Sequence, residues 1–149
     1  GGLVVAVTRS VHFGRPPREV SSAHEAVARV HAAMIVATRV GAEYQDVMDR
    51  ACAQYEAEGY GGEWRYLHQG GPIGYQDREF LVVPGAKQGR IADRQAIAWN
   101  PSVPGAKSED TMLVSEDGLQ IVTRASTEWP TIDVEADGTI VQRPAILVR

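Results

Sequence analysis

His68, Arg78, Glu79, Asn100, Lys107 and Glu109 are the residues whose types and settings in this chain could do chemistry. His68 runs into Gly70, Gly71 and Gly74, a turn in which backbone can approach a ligand closely. An imidazole also titrates near enough to neutrality to move a proton. His68 is therefore either a pocket residue or a loop histidine satisfied by its neighbours. Glu109 begins a run through Asp110-Thr111-Met112-Leu113-Val114-Ser115, then Glu116-Asp117-Gly118 and Leu119-Gln120-Ile121-Val122-Thr123. The pattern is two strands about an Asp-Gly turn, with a carboxylate pair ahead of the first. Glu109 reads as a pocket carboxylate or as a strand-end group bonded to nearby backbone. Asn100, between Trp99 and Pro101, either faces a ligand or fixes a turn. Arg78-Glu79 belongs to a site or is a surface ion pair of little energetic consequence. Lys107 reads chiefly as a solvated strand-end charge, with a lesser claim on the pocket.

The remaining polar side chains read as structural. His24 and His31 lie seven residues apart on the first predicted helix; two rings so spaced cannot chelate one ion alone, and both are expected at the surface. His12 follows the first strand and has no evident role. Cys52 lies on an apolar helical stripe and reads as an inert thiol, because a reactive thiolate needs an accessible, electropositive setting. Trp64, Trp99 and Trp129 are expected as core or pocket wall. Glu43, Asp46, Asp49, Arg50, Glu56 and Glu58 form the solvated face of the second helix.

Composition narrows the classes. The 149 residues, 44% apolar and 23% charged, suit one globular domain. Net charge is −4 with scattered basic residues, so no nucleic-acid partner is expected. No apolar run approaches the ~20 residues that cross a bilayer, and Leu3 to Val7 is too short and lacks the basic flank of a signal peptide, so no membrane partner is expected either. One cysteine makes no internal disulfide and fits a reducing, cytoplasmic setting.

The elements that must position these residues follow from periodicity. Leu3 to Phe13 is rich in β-branched residues and predicts a strand. Val20, Ala23, Val27, Val30 and Met34 fall on one stripe of a helix over Arg18 to Arg39, stopped by Gly41. Tyr44, Val47, Met48, Ala51, Cys52 and Tyr55 define a second helix to Glu58, ended by Gly59 and Gly61-Gly62. Strands are then predicted at Trp64 to His68, Phe80 to Val83, Gln95 to Asn100, Thr111 to Ser115 and Leu119 to Arg124. A closing hairpin runs from Thr131 to Glu135 and Thr139 to Val148 about Asp137-Gly138, with Pro144 demoting its last strand to an edge or bulge. One strand, two helices and many strands predict an α+β fold.

An ordered series of motifs adds to this. Thr8-Arg9-Ser10 precedes Phe13-Gly14; Val40-Gly41 separates the helices and Asp46-Val47 follows; then come His68-Gln69-Gly70-Gly71-Pro72-Ile73-Gly74, Arg78-Glu79, Trp99-Asn100-Pro101 and Lys107-Ser108-Glu109-Asp110-Thr111. Over nearly the whole chain this series resembles the pita-bread peptidases: aminopeptidase P, prolidase, methionine aminopeptidase and their metal-free relative creatinase. The resemblance implies a partial pita-bread fold over 1–149, with an N-terminal strand, two helices and a curved, mostly antiparallel sheet, and with the first half of the fold absent.

The family's metal site uses two Asp, one His and two Glu. By resemblance the second Asp falls on Ala6, the His on Gly71 or displaced to His68, the first Glu on Asn100, and only Glu109 is retained. A bridged pair of cations needs several carboxylate oxygens, so no catalytic metal and no cofactor are expected. On the analogy with creatinase, His68 would be the general acid or base. Glu79 and Glu109 would orient an amide or cationic substrate, Arg78 would bind a carboxylate in bidentate fashion, Asn100 would donate to a carbonyl oxygen, and Lys107 would assist in binding. The resemblance thus implies a metal-independent amide or peptide hydrolase, or a degenerate peptidase with a small polar pocket. The alternative is a non-catalytic module that pairs with another chain or with itself. An unpaired sheet edge and an apolar face are expected to favour a homo-oligomer or a complementary protein fragment.

Overall fold

Two apolar stripes at helical spacing set the framework. The structure, a computed structural model, describes residues 2–149. After a short strand, β1 (Val11–His12), helix α1 (Arg18–Ala37) buries Ala23, Ala26, Val27, Val30 and Met34, and helix α2 (Tyr44–Ala57) buries Tyr44, Val47, Met48, Ala51 and Tyr55. Gly41, at φ +80°, makes the reversal between them, a conformation that a Cβ disfavours.

The helices back a four-stranded antiparallel sheet. It comprises β2 (Gly70–Pro72), β3 (Gln95–Trp99), β6 (Asp110–Ser115) and β7 (Gly118–Ile121) in the order β2-β3-β6-β7. Between β3 and β6 a small hairpin is formed by β4 (Ser102–Val103) and β5 (Ala106–Lys107). The register pairs Trp99 with Asp110 and Gly71 with Ala98. A separate hairpin, β8 (Thr131–Ala136) with β9 (Thr139–Pro144), packs against α1, and β10 (Leu147–Val148) runs parallel to β1. Ile97, Trp99, Met112 and Val114 meet the helical stripes in one core. The indole of Trp99, fully buried, donates to the Thr38 hydroxyl at 2.9 Å, which satisfies its one polar atom.

Several predicted strands differ. Leu3 to Phe13 forms a ladder only at Val11–His12; before that it is fastened at single points, Val4 N to Gly74 O, Ala6 to Thr111 and Thr8 to Glu109. Trp64 to His68 is not a strand. Gly62, at φ +88°, starts a 3₁₀ turn over Glu63–Arg65, and the Gln69 amide then caps the carbonyls of Trp64 and Leu67. Phe80 to Val83 is not a strand: it bonds β2 only through Val82 N to Gly70 O at 2.9 Å, and the Gln88 side chain takes Val83 N and Leu81 O. The glycine-rich turn is itself partly a strand, β2. Pro144 ends β9, since it has no N–H to continue the ladder.

Candidate functional site

Glu109 and Asp110 stand next to each other ahead of and at the start of β6, and strand alternation sends them to opposite faces. Thr8 and Arg9 alternate in the same way alongside them, so two polar clusters form back to back.

The first cluster is built on Glu109, which is 7% exposed. The Thr8 hydroxyl donates to its Oε2 at 2.7 Å, Lys107 Nζ lies 3.2 Å from the same oxygen, and Arg78 Nη2 donates to Oε1 at 3.1 Å. Burial pushes this carboxyl up, but the Thr8 hydroxyl, Lys107 and Arg78 outweigh it and hold the pKa below the usual carboxylate value. Asn100 is buried, with its amide at 3.4 Å from His68 Nδ1 and its Oδ1 without a partner among the described residues. His68 is exposed. Partial desolvation and the charges of Arg78 and Lys107 hold its pKa below the ordinary histidine value, so near neutrality it is an uncharged imidazole, able to accept a proton.

Five of the six predicted site residues thus lie about one site: His68, Arg78, Asn100, Lys107 and Glu109. Glu79 is exposed on the loop after Gly74, its amide donating to Pro72 O at 2.8 Å. Among the described residues its carboxylate has no hydrogen bond or ion pair with the others. Arg78 pairs with Glu109 and not with its neighbour Glu79.

The second cluster is built on Asp110, 1% exposed. Arg9 Nη2 donates to its Oδ1 at 2.7 Å, as does the Thr123 hydroxyl at 2.7 Å, and Arg143 pairs with its Oδ2. Behind it His31 Nδ1 lies 2.8 Å from the Ser108 hydroxyl and 3.0 Å from Arg143 Nη2. Burial, then the charges of Arg143 and Arg9, push the His31 pKa well below the ordinary value, so the ring is neutral. His24 bonds the Pro144 carbonyl at 2.9 Å. Both helix histidines, expected at the surface, are therefore buried, because β9 covers this side of α1. Thr8, Arg9 and Asp110 were absent from the predicted site set, although their alternation against Ala6 and Glu109 was visible in the sequence. Arg143 carried no local signal, since its partner lies 33 residues away.

Position 71, one of the two places, with His68, where the resemblance puts a histidine ligand, has no room for a side chain: a Cβ there would fall on the Phe80 carbonyl oxygen. Among the described residues, no three His, Cys, Asp or Glu side chains form a group able to hold a metal ion. Among the described residues, no helix is long and apolar enough to cross a membrane.

Known proteins match this chain in sequence and in fold. The model of metallopeptidase family M24 matches residues 1–116. An uncharacterized peptidase of Staphylococcus epidermidis is 25% identical over 123 residues, covering 79% of this chain and 35% of that protein. The dipeptidase PepE of Mycobacterium ulcerans superposes with TM-score 0.72 at 22% identity, over 95% of this chain and 35% of that one. The X-Pro aminopeptidase of Thermotoga maritima gives TM-score 0.73 at 19% identity, over 96% and 37%. The chain thus spans about a third of the length of these proteins, and at such identities the solved structures establish the fold: the predicted partial pita-bread architecture.

Proposed function

The chain belongs to metallopeptidase family M24, and on that premise we propose that it is a degenerate peptidase homologue whose small polar site takes an amide or peptide without a bridged pair of metal ions. The observation that carries this reading is the state of Glu109. A dinuclear centre needs carboxylate oxygens free to coordinate cations. Both oxygens of Glu109 are already engaged, by Thr8, Lys107 and Arg78. Arg78 and Lys107 supply the positive charge that metal ions would otherwise bring. The blocked position at Gly71 and the amide at Asn100 point the same way. The donors in this chain do not fit such a centre, and its chemistry rests on its own side chains.

Within the site, the buried Asn100 Oδ1 has no partner among the described residues and would accept an N–H that reached it, and Lys107 is exposed enough to meet a carboxylate or carbonyl oxygen. That pairing suits an amide group carrying a nearby acid. Isothermal titration of the purified chain with Mn²⁺, Co²⁺ and Zn²⁺ is expected to give no stoichiometric uptake. Two ions bound per chain with submicromolar affinity would overturn the proposal.

A second reading is favoured by one specific feature. His68 is accessible, neutral and next to Asn100, which is the state a general base requires, and supports metal-independent C–N hydrolysis. Turnover of Xaa-Pro dipeptides or creatine-like amides that is lost in a folded His68→Ala variant would favour it. Absence of turnover on every amide, with tight co-purification of another chain, would instead favour the non-catalytic module. In each case the lone Cys52 keeps a cytoplasmic setting as part of the proposal.

A further inference from the structure

A groove of about 430 Å³ separates β7 from the β8–β9 hairpin, on the side of β6 opposite the Glu109 site. Its walls include Leu119, Ile121, Ile140 and Val141, with Arg124 at the rim and Arg143 and Asp110 at the floor. Of these only Asp110 lies within the stretch matched by the peptidase family model, so the groove belongs to the C-terminal part of the chain. Its volume falls within the roughly 300–1,000 Å³ typical of ligand sites, which are mostly apolar with a few placed polar groups.

Charge decides what it would hold. Asp110 is the one carboxylate among the lining residues, and it is already paired with two guanidiniums, Arg9 and Arg143, and with the Thr123 hydroxyl. The adjacent His31 is neutral and removes none of the excess. The buried cluster therefore carries one more positive charge than negative, and Arg124 adds another at the rim. Arg143 is 1% exposed, and its Nε has no hydrogen-bond partner among the described residues. Arg143 shares the single Asp110 carboxylate with Arg9 and keeps an unmet donor, so its buried charge is only partly balanced, and an anion is what supplies the rest. The walls beside that charge are aliphatic, with no aromatic ring for stacking.

We infer that this groove binds a small carboxylate with an aliphatic body, its head at Arg143 and Arg124 and its chain along Leu119, Ile121 and Ile140. The test uses the full chain and octanoate as probe, with acetate and octan-1-ol as controls, read by isothermal titration. Octanoate is expected to bind with one-to-one stoichiometry, at least about tenfold more tightly than acetate, because each buried methylene adds to the affinity, and more tightly than octan-1-ol, which lacks the charge. Arg124→Glu and Ile140→Glu replace exposed side chains; with circular dichroism confirming the fold, each is expected to weaken octanoate by about tenfold or more. The inference is overturned if octanoate shows no saturable binding, if octan-1-ol binds equally well, or if both variants keep the wild-type affinity.

Discussion

At Glu109 two opposed effects meet, and their balance can be measured. Desolvation favours the protonated acid, whereas Thr8, Lys107 and Arg78 favour the carboxylate and prevail. A carboxyl whose folded pKa is depressed contributes stability that is present above its unfolded pKa, about 4.3 for glutamate, and is lost as pH falls through the folded value. Glu109→Gln is therefore expected to destabilise the chain by about 1–3 kcal/mol at pH 7. In urea melts the gap to wild type should close as the pH is lowered past the usual carboxylate range. A gap that does not change with pH would mean that packing, not charge, is lost. Asp110→Asn should cost more, about 3–5 kcal/mol, because it leaves the buried Arg143 and the half-buried Arg9 without their carboxylate; equal effects for the two substitutions would contradict the burial difference between the clusters. His68 reports on the same site from its edge. Arg78 lowers its pKa directly, and Arg78→Gln also frees the negative charge of Glu109, so both changes raise it. NMR titration of the His68 ring should find it below the ordinary value in the wild type and higher in Arg78→Gln; a titration that does not move would separate the two residues.

At the scale of elements, what could be read from sequence was what local periodicity controls. The stripes through Val27 and Val30 and through Val47 and Met48 were sufficient for both helices, and the alternation from Thr111 to Ser115 about the Asp117-Gly118 turn was sufficient for β6 and β7. The failures are places where a non-local or side-chain bond replaces a ladder partner. Leu3 to Val7 has strand composition, yet it is fastened at separate points. Phe80 to Val83 makes one backbone bond to β2, from Val82 N, and the Gln88 amide satisfies Val83 N and Leu81 O. The site was legible where a residue type was itself the signal, as at His68 and Glu109. It was not legible at Arg143, which reaches Asp110 only because the late hairpin folds over α1. Gly71 falls between these cases, since its identity was evident but the reason for it was not. The loop carrying Phe80 lies directly on β2, so any Cβ at position 71 meets backbone that cannot rotate away. Gly71→Ala is expected to destabilise by about 1–3 kcal/mol, and Gly71→His, which would restore the ligand type of the family, by more. A stable Gly71→His variant that then takes up Mn²⁺ would show that the loop yields and that the present closure is shallow.

The whole molecule has two unlike surfaces. Its core side is closed by helices and hairpin, whereas the N-terminal segment leaves Leu3, Val5, Val7 and Phe13 from 48% to 82% exposed, and Tyr75, next to the Gly74 that Val4 bonds, is uncovered as well. Apolar side chains scattered singly need no explanation, but a run of them along one poorly paired segment is what an association surface presents. The segment is also short of ladder partners over residues 3–7, so its backbone can accept a strand as well as its side chains an apolar face. We propose that a second copy or a complementary protein fragment covers it, and the two make different predictions. Self-association makes the sedimentation coefficient rise with concentration in the isolated chain, and Val5→Glu with Phe13→Glu should abolish that rise while leaving the helical circular dichroism intact, because neither side chain is in the core. A complementary fragment leaves the isolated chain monomeric, with the same double variant losing a co-purifying partner. If the chain stays monomeric at every concentration and the double variant retains all its partners, the exposed segment has no role in assembly. Burial of this patch would also stabilise the Thr8–Glu109 contact at its end. Association should therefore lower the Glu109 pKa further, and the pH at which wild type and Glu109→Gln converge should fall as protein concentration rises.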